Sequence, residues 1–265
     1  MEKMQNPDLS KLQLLKKRIK EQQPSSTSHT NISAQSTILE AEYHSSTVPL
    51  RPVIPDTLFD SSASVHEKIC SIQNFISSFQ YNYTGQPFIR LNRSLGMIHI
   101  TASAKKLIEV ALPIQCVEAV FLGCVLSADI DGLDRIPLSF KSKLRDHVHR
   151  HIVLALRYQG KWGSIGISRR DTLMDKEIVF DSLMSLIEDF KVSYSSCYHT
   201  LNKVYIGLPF SKNRFGDRPI KWRAISFRVS GNDMNKVGSE VENFIGNMFR
   251  YLEIYEQSGV LDILR

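Results

Sequence analysis

A chain of 265 residues with 42% hydrophobic content can bury one substantial core, but not two full domains once its polar N-terminal portion is set aside. The 33 Lys and Arg against 27 Asp and Glu, a net charge of +6, favour an acidic partner without choosing among nucleic acid, anionic lipid and an acidic protein tail. Four scattered cysteines, Cys70, Cys116, Cys124 and Cys197, include no C-x-x-C pair and no His/Cys cluster at zinc spacing, which argues for a reduced compartment over a disulfide scaffold or a zinc module.

Met1–Asp8 is polar and does not resemble a signal peptide, and no apolar run approaches the ~20 residues of a membrane span. The expectation is a cytoplasmic protein, with export open only to a route that uses no signal peptide. Leu9–Gln22 carries Leu12, Leu15 and Ile19 on one side with Lys11, Lys16, Lys17, Arg18 and Lys20 around them. It reads either as a basic amphipathic helix that meets an acidic surface or as a solvated helix that frays. Pro24–Thr47 is rich in Ser, Thr, Asn and Gln with few apolar residues, a composition that cannot offset the entropy of ordering, and so reads as a disordered linker. Pro49, Pro52 and Pro55 impose an extended approach to the folded part. Residues 1–55 are thus expected to be an N-terminal extension and residues 56–265 the folded domain.

Val65, Ile69, Ile72, Phe75, Ile76 and Phe79 follow a helical period that the turn chemistry of Tyr81–Gly85 ends. Phe88–Leu91 reads as a short strand and Thr101–Ala111 as a second helix. In Leu112–Leu126 the residues Val117, Val120, Phe121 and Cys124 recur on one helix face and Pro113 suits the approach to a helix start, which puts Cys116 in the first turn. Free amide hydrogens and the positive dipole end stabilise a thiolate there, whereas Cys124, deeper in the helix, is packing. Cys116 taken alone reads either as a nucleophile or as a small buried hydrophobe. The acidic turn Asp129–Asp134 lacks the length and terminal Glu of a calcium loop.

Val148–Tyr158 and Trp162–Ser168 are β-rich, and Gln159-Gly160 between them predicts a two-residue hairpin turn. That register sets His151 opposite Ser168, with β-carbons ~5 Å apart and the ring within hydrogen-bonding reach of the hydroxyl. Cys116, His151 and Ser168 then compose a nucleophile, a base and an orienting group. His147 and His149 share the alternating face of His151 and read as surface histidines. Asp171–Thr200 reads as largely helical, Lys203–Pro209 and Trp222–Val229 as strands, and Val237–Tyr255 as a closing amphipathic helix. Helices, then strands in hairpin order, then a helix predict an α+β domain with an antiparallel sheet.

Three stretches, Pro113–Val120, Arg150–Leu154 and Gly163–Arg170, closely resemble the vasohibin family. The likeness extends to Tyr81–Gly85, Ile136–Lys141 and Leu173-Met174, and covers roughly Phe75 to Leu208. The resemblance implies a transglutaminase-like fold, related to papain-type cysteine peptidases, and removal of the C-terminal tyrosine from α-tubulin. It implies Cys116 as nucleophile, His151 as base and Ser168 as third member, with no metal or other cofactor. It also implies association with microtubules, and a small helical partner, small vasohibin-binding protein, docked on N-terminal helices. One position departs from the family: a Lys associated with the substrate carboxylate commonly precedes the nucleophile, and Gln115 stands here instead.

For a carboxypeptidase, Arg169 is placed to hold the terminal carboxylate with a bidentate guanidinium, or else to cap the next helix or pair with Asp171. Tyr81 matches a family position near the nucleophile and is either a second oxyanion donor or a core tyrosine. Lys105, Lys106, Arg145, Arg150 and Lys221 read as a basic groove for an acidic tail or as ordinary solvated charge. Two alternatives stand beside tubulin detyrosination: the same chemistry on another protein ending in an aromatic residue, and a non-catalytic microtubule-binding scaffold. Nucleic-acid binding is disfavoured, because the aromatics are not interleaved with the basic residues as a stacking platform needs.

Overall fold

The computed structural model describes residues 52–229 and 234–261. The basic segment Leu9–Gln22 and the linker Pro24–Thr47 lie outside the described residues.

Three helices come first. Helix α1 (Val65–Ser77) is started by a capping box in which the Ser64 hydroxyl accepts from the Glu67 amide at 3.2 Å and the Glu67 carboxylate accepts from the Ser64 amide at 2.8 Å. Helix α2 (Met97–Val110) ends where Ala111 turns left-handed, and α3 (Cys116–Leu126) follows after five residues. The strands β1 (Asp134–Leu144), β2 (His147–Tyr158), β3 (Lys161–Ile165) and β4 (Lys176–Phe180) then form a meander. Helix α4 (Leu183–Ser196), strands β5 (Thr200–Ile206) and β6 (Ile225–Arg228), and helix α5 (Met234–Ser258) complete the chain. The six strands make one antiparallel sheet in the order β4-β3-β2-β1-β5-β6, so the molecule is the α+β type that the element order predicted.

Both faces of the sheet are covered. On β2, Ile152, Leu154 and Leu156 enter a core shared with α1, α2 and α3, while Val153 and Ala155 enter a second core with α4 and α5. A strand buried on both sides has no polar face, which is why this stretch reads as a near-continuous apolar run. Helix α3 is buried on nearly every side between β2 and its two companions, with Ala119 to Cys124 all inaccessible.

Four expectations change. Phe88–Leu91 forms no strand; it packs against the first core through Ile89. Asp171–Thr200 is not one helical stretch, because a 3-10 turn (Asp171–Leu173) and edge strand β4 precede α4, the local β preference of Ile178-Val179-Phe180 winning there. Strand β1, central in the sheet, adds to the predicted elements, and Ile136, Leu138 and Phe140 alternate there with more polar residues as a strand's do. The two late strands shift to Thr200–Ile206 and Ile225–Arg228.

The hairpin is as read: Tyr158 pairs with Lys161, and Gln159 and Gly160 both have positive φ, 47° and 79°, as a type I′ turn requires. The ladder nevertheless stops at Leu154↔Ile165, three pairs short of His151 and Ser168. Just past that end, the Gln73 side-chain amide of α1 donates to the Gly166 carbonyl at 2.9 Å and accepts from the Gly166 amide at 3.0 Å, satisfying both backbone groups of the first residue beyond the ladder. Replacing Gln73 by Leu leaves both groups buried without partners, at about 1–3 kcal/mol each. Urea denaturation of the Gln73→Leu variant is expected to show a stability loss of about 2–4 kcal/mol, with an unchanged m-value.

Candidate active site

Cys116 is the first residue of α3, with Gln115 as its N-cap in an extended conformation. The start of the helix is fixed from within, because the Glu118 carboxylate accepts a hydrogen bond from the Gln115 amide at 2.5 Å. The edge of β2 left open beyond Leu154 meets this helix start, where the backbone amides of Ile152, Val117 and Cys116 itself favour the thiolate form of Cys116. Burial pushes the thiol above its ordinary range; the three amides oppose the shift, and the nearby Glu118 carboxylate adds to it. Cys124, fully buried among apolar groups, is pushed up to about 12 by burial and is inert packing.

His151 comes from β2, beside Ile152, on the face of the sheet occupied by Phe140, whose ring lies nearly parallel to the imidazole at 6.4 Å. Its Nε2 is 2.7 Å from the carbonyl oxygen of Leu173, in the 3-10 turn after the Arg169 loop. A carbonyl can only accept, so Nε2 carries the proton and Nδ1 holds the lone pair. Burial holds the imidazole down to about 4, against the opposing pull of the Leu173 carbonyl. The hydrogen bond expected between His151 and Ser168 is therefore replaced: the ring is fixed by a backbone carbonyl, while the Ser168 hydroxyl accepts from the Arg170 amide at 3.2 Å and holds its own turn. The physical reason is the early end of the β2–β3 ladder.

Tyr81 is tied to the strand-like approach to α3 by a bridge to Ile114, with the Asn82 amide donating to the Ile114 carbonyl at 2.8 Å. Burial raises its phenol, and so does proximity to Cys116, while the Arg169 guanidinium lowers it and donates to its oxygen. Arg169 itself is exposed, its guanidinium carbon 5.9 Å from the Tyr81 ring centroid.

Tyr81, Cys116, His151, Ser168 and Arg169 all line one cavity of about 370 Å³. Gln115 does not; it contributes only its backbone to the helix start. The cavity wall also holds residues that the sequence reading did not assign to a site. His149, read as a surface histidine, packs edge-on against His199 at 4.8 Å, and His199 Nδ1 lies 3.1 Å from the Ser142 hydroxyl. Arg150, Arg169 and Arg170 make the wall cationic, and no carboxylate lines it. Burial, then His149, Arg170 and Arg169, hold His199 below its ordinary range. A smaller recess of about 80 Å³ reaches Cys116 and His151 from the other side and is lined by Arg93, Arg150, Arg223 and Tyr205. Of the five basic residues read as a groove, only Arg150 lines either space; the Lys221 ammonium lies over the Tyr255 ring at 5.5 Å. The Leu173 carbonyl had no sequence signal, being backbone. Tyr194 was visible only as one more residue on the apolar face of its helix.

Among the described residues no group of three or more His, Cys, Asp or Glu side chains could hold a metal ion, and no helix is long and apolar enough to cross a membrane. The chemistry available is that of a thiol, an imidazole and backbone amides.

Glu118 and His151 make opposite contributions to stability. Glu118 is 2% exposed, and burial pushes its carboxyl up to about 7, with the Gln115 amide opposing. Between its unfolded value of 4.5 and about 7 the folded state binds the extra proton, so stability falls as pH rises. His151, at about 4 against 6.5, binds its proton more weakly when folded, so stability rises with pH across that window. Glu118→Gln keeps an acceptor for the Gln115 amide and removes only the first contribution. Chemical denaturation from pH 4.5 to 7.5 is expected to show the variant gaining about 3 kcal/mol on the parent chain as pH rises. The variant alone should show stability falling on acidification.

Comparison with known proteins gives the family. The mouse (Mus musculus) protein named tubulinyl-Tyr carboxypeptidase 1 is 35% identical over 176 residues, 66% of this chain and 47% of the mouse protein. The chain thus spans about half the length of the curated relative it matches. The sequence profile of the family described as Vasohibin matches residues 14–249, a span that includes every site residue above, and the chain belongs to the vasohibin family.

Proposed function

We propose that this chain is a cysteine carboxypeptidase that removes the C-terminal tyrosine of α-tubulin, acting in the cytoplasm on microtubules. The observation that carries the reading is the convergence of Cys116, His151 and Arg169 on one cavity whose wall is cationic. A nucleophile at a helix start and a base with its lone pair on Nδ1 support acyl transfer. An exposed guanidinium at the same cavity supports recognition of a free carboxylate, which is what limits such an enzyme to the last residue of its substrate. The name of the mouse relative supports tubulin as the protein concerned.

The geometry supports the following reaction. The buried thiol and the imidazole with a depressed pKa rest as a neutral pair. The sulfur attacks the carbonyl carbon before the terminal tyrosine as its proton passes to Nδ1 of His151. The resulting imidazolium is stabilised through Nε2–H, already donating to the Leu173 carbonyl. The oxyanion is received by the amides at the start of α3 and by the Tyr81 hydroxyl. As the C–N bond breaks, His151 returns the proton to the departing amine, leaving a thioester on Cys116. Water then attacks the thioester with His151 as base, releasing the shortened carboxylate and restoring the thiol. Ser168 holds the turn that carries Arg169, and Gln115 acts through its backbone.

A peptide with the α-tubulin tail sequence is the direct test, with the full chain and free tyrosine as the readout. Cys116→Ala is expected to fall to background. Ser168→Ala is expected to retain activity within about tenfold, since it loses a single hydrogen bond to backbone. Arg169→Ala should raise KM far more than it lowers kcat, and amidating the peptide's C-terminus should reproduce that loss in the parent chain. Cleavage that ignores amidation would overturn the carboxypeptidase reading. Cleavage of other aromatic-ended peptides but not the tubulin tail would change the substrate and keep the chemistry.

A further inference from the structure

Tyr194 has no structural use for its hydroxyl. The residue sits on α4, is 2% exposed, and its Oη is buried with no hydrogen-bond partner among the described residues. Native folds seldom leave a buried polar atom unsatisfied, and one that persists beside a reactive group calls for a ligand. The ring cannot easily swing the hydroxyl to solvent, because Phe140 at 5.6 Å and His199 at 6.1 Å hold it. It lines the cavity of Cys116 and His151, and Cys116 is close enough to act on its phenol electrostatically.

The cavity has two chemically different ends. Arg169 and Tyr83, both exposed, mark the mouth, where a charged carboxylate can be held without leaving water altogether. Tyr194 and Leu173 mark the buried end. A neutral donor there suits a neutral partner, since a carboxylate placed deep against a phenol would lose its hydration without a countercharge. With the terminal carboxylate on Arg169, the aromatic side chain of that residue extends inward.

Resting on the proposed carboxypeptidase reading, we infer that Tyr194 is a specificity-determining residue, its Oη–H donating a hydrogen bond to the phenolic oxygen of the substrate's terminal tyrosine. The pocket thereby reads the hydroxyl that distinguishes tyrosine from phenylalanine. A site built to bond a hydroxyl discriminates against the analogue lacking it, because its own polar atom is otherwise left unpaired.

The test uses the full chain and its Tyr194→Phe variant on two tail peptides identical except for a terminal Tyr or Phe. The parent is expected to favour the Tyr peptide by about tenfold or more in kcat/KM, and the variant's preference to fall to about one. Thermal unfolding of Tyr194→Phe should be no lower than that of the parent, as the variant only removes an unsatisfied group. A parent without preference, or a variant that loses activity on both peptides equally, overturns the assignment of Tyr194 and leaves the carboxypeptidase reading intact. A parent that cleaves neither peptide overturns that reading, and this inference with it.

Discussion

The site exists because the β2–β3 ladder stops at Leu154↔Ile165, and the Gln73 side chain holds both backbone groups of Gly166, the first residue past that end. Had β3 run on with β2, the Ile152 amide would lie along a paired edge and the chain from Gly166 to Met174 would be a strand. Instead the open edge of β2 receives the first turn of α3, and the released chain swings across as a loop and a 3-10 turn. One end of that segment offers Arg169 to the cavity mouth, and the other brings the Leu173 carbonyl to His151. Gln73 holds the start of that segment, and an amide suits the task because it can donate to a carbonyl and accept from an amide at once.

A backbone carbonyl is a different orienting group from a carboxylate. It fixes the tautomer and the ring plane equally well, but it brings no charge to offset an imidazolium. The imidazole therefore stays neutral until a proton arrives from the thiol, and the thiol, raised by burial and by Glu118, does not release it unprompted. Positive charge surrounds the site, on Arg150, Arg169 and Arg170 at the larger cavity and on Arg93, Arg150 and Arg223 at the recess that reaches Cys116 and His151. Such an arrangement suits a substrate that carries its own negative charge. In the proposed reaction the positive charge attracts the substrate's carboxylate and acidic residues.

The positions that sequence revealed and those it hid differ in kind. The helix start at Cys116 was legible because apolar spacing locates a helix and Pro113 locates its approach. The hairpin register was legible because Gln159-Gly160 admits one turn type, and it brought His151 and Ser168 to the same neighbourhood even though the ladder ends before them. The end of the ladder was not legible, and neither was the anchoring of Gly166 just past it by Gln73, 93 residues upstream and indistinguishable in sequence from any polar helix residue. The Leu173 carbonyl has no side-chain signature at all. Strand β4 was masked by the strong helical period just after it. Tyr194 satisfies the helix pattern perfectly well as a core residue; only its unpartnered oxygen, which a sequence cannot show, sets it apart.

Gln115 and Glu118 are best understood together. The family commonly has a cation before the nucleophile, and here a neutral side chain stands there, while the buried carboxyl three residues on has desolvation and one backbone hydrogen bond as the causes of its shift. A cation at position 115 would favour the ionised carboxylate and pull its pKa down; without one, burial alone keeps the group near 7. The consequence falls on the sulfur. An ionised Glu118 disfavours the thiolate and a protonated one does not, so this charge near Cys116 varies around pH 7. Gln rather than Lys at the cap leaves no side-chain charge at position 115, so the proposed recognition of the substrate's carboxylate rests on Arg169, while burial, the backbone amides and Glu118 together set the thiol.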